Sequence, residues 1–157
     1  PISNLRDEPY LARHIAKDEF VLCASQEYLS TNTIPNTPQE LEQLSFITLT
    51  NKGSQFDRVD FIYKGQSIHQ HLKGELHVNN KHVIYEMVKA GLGYAVLPKY
   101  LVLDDINAAT LVEMLPDYVI KGAAFYALYT QRRKESALIN HFIDFVSDQL
   151  NSPEKVL

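Results

Sequence analysis

The sequence has no tryptophan, only one cysteine and no apolar run long enough to cross a membrane. Because a single cysteine cannot form an internal disulfide or a cysteine-rich zinc site, both kinds of cross-link are excluded. Cys23 lies in a short apolar run, where we expect an unreactive core thiol. Such sparse use of cysteine fits a reducing cytoplasm, so a cytoplasmic protein that does not enter a membrane is predicted.

An excess of basic residues is also missing. Lysine and arginine total 15 against 19 aspartates and glutamates, which gives a formal net charge of −4. A domain that binds nucleic acid through its phosphates usually carries a basic face, so this chain itself is not expected to contact DNA. The short basic run at 131–134 lies between a predicted strand and a predicted helix and is interpreted as a solvated connection.

Familiar catalytic motifs are absent: there is no G-x-S-x-G, no H-E-x-x-H and no phosphate-binding loop. No pair of carboxylates stands in a catalytic frame, so we predict that the chain is not an enzyme and needs no cofactor. His69 and His71 have the H-x-H spacing of some metal sites, and His77 follows on the same predicted strand face. Because nothing nearby offers a fourth ligand, a solvated hairpin face is the better interpretation, and no metal is predicted.

What the sequence does contain is an alternation of strand and helix patterns over 157 residues, of which 45% are hydrophobic. Strands are predicted at 19–25, 45–50, 94–98, 110–118 and 123–130, and a β-hairpin or meander at 60–79, with a turn at residues 64–66 and a bulge or second bend at Gly74. Helices are predicted at 36–44, at 81–90, from Pro98 through residue 106, and at 136–150. The last of them carries Leu138, Ile139, Phe142, Ile143, Val146 and Leu150 on one face. The alternation indicates an α/β class with a largely parallel or mixed sheet.

Two glycines, Gly91 and Gly93, follow the helix predicted at 81–90 and precede the strand at 94–98. A dinucleotide-binding loop needs its glycines after a strand and before a helix, where free N–H groups point at the pyrophosphate. Here the order is reversed, and the negative end of the helix dipole repels anions. We therefore predict structural roles: Gly91 as the left-handed cap of the helix and Gly93 as a tight entry into the sheet.

The opposite end of the same helix offers a better candidate site. In α/β sheets, ligands bind outside the carboxyl ends of the strands, and residues 78–82 lie where a strand ends and a helix begins. Asn79, Asn80 and His82 supply side-chain donors there, next to free N–H groups of the helix. Two interpretations stay open at this point: a site for a small carboxylate or another polar ligand, or a helix cap at Asn80 surrounded by solvated residues.

Three stretches of the chain, 12–47, 74–118 and 125–150, resemble the effector-binding domain of LysR-type transcriptional regulators. The resemblance rests on the series "LCAS-x-EYL", "P-x-TP-x-x-L", "VNN…AGLGYAVLP-x-YLV", "LV-x-x-LP-x-Y" and "Y-x-x-RR-x-x-S…FIDF". Each of these pieces alone is a weak match. Their occurrence together, in the family's order and over nearly the whole chain, is a specific one.

The resemblance implies a fold like that of type 2 periplasmic binding proteins, which have two α/β lobes joined by two crossover segments. It implies a complete second lobe and a partial first lobe. The expected division is a remnant of the first lobe at 1–21, the second lobe at 22–115, the crossover with the returning strand and helix of the first lobe at 116–150, and a flexible tail at 151–157.

The resemblance also implies a small-molecule effector, polar or anionic, in the cleft between the lobes. The family's effector-facing junction matches residues 78–82, Lys81 included, with Asn79, Asn80 and His82 as the candidate contacts. Thr48 and Tyr129 are further candidates at strand ends. Much of the first lobe's half of the pocket is expected to lie outside this sequence, so the chain alone should bind effector poorly.

The implied partners are other copies of the protein and DNA, the latter only through an N-terminal helix-turn-helix that this sequence lacks. Because the helix at 136–150 packs on first-lobe elements in that fold, its apolar stripe should be covered here by the second lobe or by another copy. A solute-binding protein of a transporter shares the fold and is the alternative. An enzyme on the same architecture would need catalytic residues that are not found.

Overall fold

The computed structural model describes residues 10–51, 54–55, 57–122, 124–130 and 136–151. The chain divides into two compact units. The first combines the two ends of the chain, up to residue 18 and from residue 123, and the second is the continuous segment 19–122. These bounds are close to the expected lobe limits, but the assignment of complete and partial lobes stays a prediction.

The described residues form strands and helices in alternation, as the sequence predicts. The strands are β1 (Tyr10–Lys17), β2 (Phe20–Ser25), β3 (Phe46–Asn51), β4 (Ser54–Gln55), β5 (Arg58–Tyr63), β6 (Gln66–His71), β7 (Gly74–Val78), β8 (Tyr94–Pro98), β9 (Leu111–Met114), β10 (Val119–Ile120) and β11 (Ala124–Thr130). The α-helices are α1 (Gln26–Thr31), α2 (Lys81–Lys89), α3 (Lys99–Asn107) and α4 (Ala137–Asn151), and a 3₁₀ helix spans Pro38–Gln43.

The second unit is built on a mixed sheet. Its strand order is β7-β3-β8-β2-β9, with the short β4 pairing the end of β3. Strands β7 and β8 run parallel to β3, whereas β2 runs antiparallel to both β8 and β9. The mixed sheet with helical connections confirms the predicted α/β class.

The core lies on both faces of this sheet because alternate side chains of each strand point to opposite sides. Val21 and Cys23 of β2 pack with Ile84 and Val88 of α2 on one face. On the other face the residues that pack together are Leu22, Ala24, Leu29, Leu41, Phe46, Val59, Phe61, Leu72 and Tyr94. Burial on both faces explains why β2 reads as a continuous apolar run rather than as an alternating one.

Of the β-hairpin or meander predicted at 60–79, the hairpin with its turn at Lys64 and Gly65 is confirmed, whereas the single strand face predicted for His69, His71 and His77 is wrong. Strands β5 and β6 form an antiparallel hairpin around Lys64 and Gly65, but β7 leaves it and pairs with β3 in the central sheet. The change of sheet occurs at Gly74, where a Cβ atom would lie 2.4 Å from Cγ2 of Thr48. Side chains of β6 and β7 therefore do not share one face, although their sequence alternates across residues 66–78.

The first unit consists of an antiparallel pair, β1 with β11, and the helix α4 packed on β1. The hydroxyl of Ser147 donates to the carbonyl oxygen of Ile15 at 2.9 Å, and Arg13 pairs with Asp144. The stripe predicted on this helix is only partly covered within the unit. Ile143 is buried, but Leu138, Phe142 and Leu150 are 79%, 66% and 57% exposed, and Phe145 adds another exposed ring at 62%.

Asn151, which the sequence analysis assigns to the tail, instead closes α4 and donates to the carbonyl oxygen of Ile15 at 2.8 Å. Residues 152–157 and the basic run 131–134 lie outside the described residues. Among the helices that the structure describes, none combines the length and apolar character needed to span a membrane.

Candidate functional site

The candidate site lies at the edge of the mixed sheet where its parallel strands end. Because β7, β3 and β8 run in one direction, their carboxyl ends meet at the same edge. Two residues separate the end of β7 from the start of helix α2, and α3 begins directly after β8. This topology brings the predicted residues Asn79, Asn80 and His82 to the edge, and it adds Lys81 and Tyr100 from the starts of the two helices.

Asn80 caps α2, as predicted. Its side-chain oxygen accepts hydrogen bonds from the backbone N–H groups of His82, at 2.8 Å, and Val83, at 3.4 Å. Two of the free N–H groups at the helix start are therefore already satisfied from within the chain. Asn79 and His82 are exposed, and their side chains remain available at the surface of the edge.

Lys81 and Tyr100 form a contact that the sequence analysis missed. The ammonium group of Lys81 lies 5.2 Å from the centre of the Tyr100 ring and donates to its hydroxyl group. Lys81 is half-buried, and Tyr100 is 44% exposed. The signal for Tyr100 was present in the sequence, since it follows the predicted strand 94–98 by two residues, as Asn80 follows residue 78.

The other two candidates, Thr48 and Tyr129, lie on strands β3 and β11. Thr48 is fully buried in the middle of β3, where its Cα pairs with that of His77. Tyr129 is half-buried on β11, which belongs to the first unit. Both stay predictions as effector contacts, because nothing in the described residues tests them.

The histidines of the predicted hairpin face are engaged with carboxylates. Nδ1 of His69 lies 2.7 Å from Oδ1 of Asp60, and Nε2 of His71 lies 3.1 Å from Oδ2 of Asp57. The hydrogen bond from His69, followed by that from Arg58, holds the pKa of Asp60 below its usual range. Throughout the described parts of the chain, His, Cys, Asp and Glu side chains form no group of three that could hold a metal ion.

Cys23 is completely buried in the centre of β2. Burial, followed by the nearby negative charges of Glu113 and Asp105, raises the pKa of its thiol to about 12. The group is therefore protonated and inaccessible at neutral pH, in agreement with the predicted core role.

A separate cavity of about 210 Å³ opens beside the 3₁₀ helix. It is lined by Thr31, Asn32, Thr33, Pro35, Glu40, Gln43 and Leu44. Its polar groups are largely used within the chain, because Asn32 donates to the carbonyl oxygen of Tyr28 and Glu40 accepts from Asn36 and Thr37. We therefore do not regard it as the functional site.

Comparison with known proteins connects this architecture to one family. The family described as LysR substrate binding domain matches residues 2–151. The chain is 30% identical over 136 residues to an HTH-type transcriptional regulator of Haemophilus influenzae, covering 84% of this chain and 46% of that protein. It is 26% identical over 148 residues to the HTH-type transcriptional activator AaeR of Escherichia coli, covering 94% of this chain and 47% of that protein.

The fold agrees with that of solved regulators. The CrgA regulatory domain, from a LysR-type transcriptional regulator of Neisseria meningitidis, superposes with a TM-score of 0.74 at 24% identity, over 94% of this chain and 72% of that domain. The chain spans about half the length of the curated relatives it matches, and these relatives are transcriptional regulators, not enzymes. With residues 2–151 matched by the family and the fold shared with CrgA, the chain belongs to the LysR substrate binding domain family.

Proposed function

We propose that this chain is the effector-sensing part of a LysR-type transcriptional regulator and that a small polar or anionic molecule binds at the edge formed by residues 78–82. The observation that carries the proposal is the clustering of Asn79, Lys81 and His82 at one edge, where two helices begin next to the ends of parallel strands. Side-chain donors in this position suit a ligand with hydrogen-bond acceptors.

The mechanism that follows is a population shift. An effector that binds one conformation of the regulator more tightly than another increases the population of that conformation. This changes the geometry of the oligomer bound to DNA. Contact with DNA would come from a helix-turn-helix, since the matched relatives are HTH-type regulators about twice as long as this chain. A cytoplasmic location and self-association belong to the same proposal.

The test is a thermal-shift assay on the intact protein that carries this sequence, with a panel of small carboxylates, aromatic acids and amino acids. A ligand at 100 times its dissociation constant adds about 2.7 kcal/mol of stability, which corresponds to a rise of several degrees in Tm. We expect at least one member of the panel to raise the Tm of the wild type, and Asn79→Ala and His82→Ala to remove that rise.

Two substitutions outside the edge serve as matched controls. Asn107→Ala removes an exposed asparagine at the end of α3, and His71→Ala removes an exposed histidine on the hairpin. Both should keep the ligand-induced rise. A rise that survives Asn79→Ala and His82→Ala would move the site away from residues 78–82, and a panel without effect would contradict effector sensing by these classes of molecule.

The alternative function, a solute-binding protein of a transporter, shares this fold. It predicts ligand binding without any change in DNA binding. An electrophoretic mobility or footprinting assay on the intact protein, with and without the ligand found above, separates the two functions. The regulator requires a ligand-dependent change in the footprint, whereas a transport protein has no footprint.

A further inference from the structure

Helix α2 carries two lysines that make the same contact with a tyrosine ring. The ammonium group of Lys89 lies 4.9 Å from the centre of the Tyr85 ring and donates to its hydroxyl at 3.1 Å. At the other end of the helix, the ammonium group of Lys81 lies 5.2 Å from the centre of the Tyr100 ring and donates to its hydroxyl. In both pairs the ammonium group approaches the tyrosine from its hydroxyl end, so the hydrogen bond to that hydroxyl is the shared contact.

The two pairs differ in their third member. Beside Lys89, the carboxylate of Asp105 lies 3.2 Å from the ammonium group and accepts a hydrogen bond from the hydroxyl of Tyr85. Lysine, tyrosine and carboxylate thus satisfy one another. Beside Lys81, no carboxylate of the described residues lies within ion-pair distance, and the carboxylate of Glu19 is taken by Lys99 at 3.4 Å.

In the Lys89–Tyr85 pair, the ammonium group and the tyrosine hydroxyl both donate to the carboxylate of Asp105. In the Lys81–Tyr100 pair, the same two kinds of donor have no such carboxylate among the described residues. The ammonium group has three hydrogens, and the Tyr100 hydroxyl, which accepts from Lys81, keeps its own hydrogen to donate. Hydrogen bonds to an ionised carboxylate are stronger than neutral ones, and Lys81 is half-buried, which reduces screening by solvent. The exposed part of the Tyr100 ring leaves an open approach to both groups.

We propose that Lys81 and Tyr100 form a binding pair for a ligand carboxylate, which takes the position that Asp105 occupies beside Lys89 and Tyr85. This inference rests on the proposed function and deepens it, because it names the effector as a carboxylic acid and assigns its recognition to two residues.

The test is an NMR titration of the ¹⁵N-labelled intact protein that carries this sequence, with acetate and benzoate, and with the neutral acetamide and benzamide as matched probes. We expect the two carboxylates to shift the backbone amide signals of Lys81, His82 and Tyr100 in a saturable manner, and the neutral amides to leave them in place. Lys81→Met and Tyr100→Phe should each weaken carboxylate binding at least about tenfold, or 1.4 kcal/mol.

Lys89→Met is the matched control, because it removes the same ammonium–tyrosine contact at the end of α2 where Asp105 already supplies the carboxylate. It should leave carboxylate binding unchanged. Equal shifts from the neutral amides, an unchanged affinity in Lys81→Met, or no shift at about 50 mM carboxylate would overturn the inference. A molecule that raises the Tm in the assay above without shifting these signals would overturn the carboxylate pair and leave effector sensing standing.

Discussion

The chemistry of single residues in this domain follows from their position in the sheet. Cys23 illustrates this most clearly, because its neighbours exclude water and leave its thiol protonated. Thiolates, not thiols, react with disulfide reagents. The only cysteine is therefore a reporter of opening of the core.

We predict that Cys23 reacts with a chromogenic disulfide reagent at pH 8 at least about a hundredfold more slowly in the native protein than in urea. The reason is that the native thiol must first be exposed by local unfolding. The measurement is the absorbance of the released thiolate with time. Fast reaction in native buffer would show that β2 is more open than the structure has it.

Gly93 shows a second way in which position sets the residue type. A Cβ atom at this position would lie 2.3 Å from the carbonyl oxygen of Ser45, which accepts the N–H of Tyr94 at 3.0 Å. We predict that Gly93→Ala lowers the free energy of unfolding by about 3 kcal/mol, as measured by urea denaturation.

Gly65→Ala is the control for that substitution. Gly65 also has a positive φ, of 78°, but no atom lies within 4 Å of the added Cβ. Gly65→Ala should lower the free energy of unfolding only by the strain of an alanine in the left-handed backbone conformation, about 1 kcal/mol. Equal losses at the two positions would mean that backbone conformation alone, rather than the close approach to Ser45, explains Gly93.

At the scale of elements, α2 is defined by signals at both of its ends. Asn80 caps the start, and at the far end the N–H of Gly91 bonds to the carbonyl of Val88 at 3.0 Å while that of Leu92 bonds to Met87 at 3.1 Å. This pair of bonds is the Schellman motif, and the φ of Gly91 is 73° as the motif requires. Both ends were predicted from the sequence because their signals are local.

We predict that Asn80→Ala lowers the free energy of unfolding by about 1 kcal/mol, whereas Asn80→Asp keeps the cap and the stability. An aspartate oxygen accepts the same two N–H groups and adds a negative charge at the positive end of the helix. The same charge should weaken the binding of a carboxylate probe next to Lys81. Urea denaturation and the NMR titration measure the two effects separately, and a loss of stability in Asn80→Asp would contradict the capping role.

The hairpin of β5 and β6 should make a pH-dependent contribution to stability. The pKa of Asp60 is lowered by the hydrogen bond from His69 and by that from Arg58. A carboxyl group with a lowered native pKa stabilises the fold above its unfolded value of about 3.9, and this contribution disappears as the pH falls through the native pKa.

We therefore predict that wild type is more stable than Asp60→Asn at neutral pH and that the difference shrinks in acid. The measurement is urea denaturation of both proteins from pH 7 down to pH values below about 3.9. Because Asp60 lies at the surface, the difference should also decrease with added salt. A difference that is independent of pH would assign the effect to packing rather than to charge.

Prediction from sequence succeeded for elements that carry their own signals and failed where distant partners decide. The alternation of residues 66–78 cannot show that β7 leaves the hairpin, because the choice of β3 as its partner depends on the fit of Gly74 against Thr48. At the candidate site, Asn79, Asn80 and His82 were found through one strand-to-helix junction. Tyr100 was missed because only the parallel pairing of β8 with β3 brings the second junction to the same edge.

At the scale of the whole molecule, α4 leaves apolar side chains exposed within its unit, with Leu138, Phe142 and Phe145 all more than 60% exposed. The sequence predicts that such a stripe is covered. If another copy of the chain covers it, sedimentation velocity should show a weight-average mass that rises with concentration.

We predict that Leu138→Glu together with Phe142→Glu shifts that distribution to the monomer, because two charges oppose burial of the stripe. Gln66→Glu together with Ser67→Glu, which adds two charges at exposed positions of the hairpin away from this helix, is the control. A monodisperse wild-type monomer at all concentrations would contradict self-association through this helix.

The division of the chain into one continuous unit and one made from both ends has a consequence for how the protein is synthesised. Residues 19–122 can fold on the ribosome as soon as they emerge, because all strands of their sheet are then available. Tyr10, in contrast, must wait for Thr130, its partner across the β1–β11 pair, to be translated. Because contacts of large sequence separation form slowly, we expect β1 to pair with β11 only after residues 19–122 have folded.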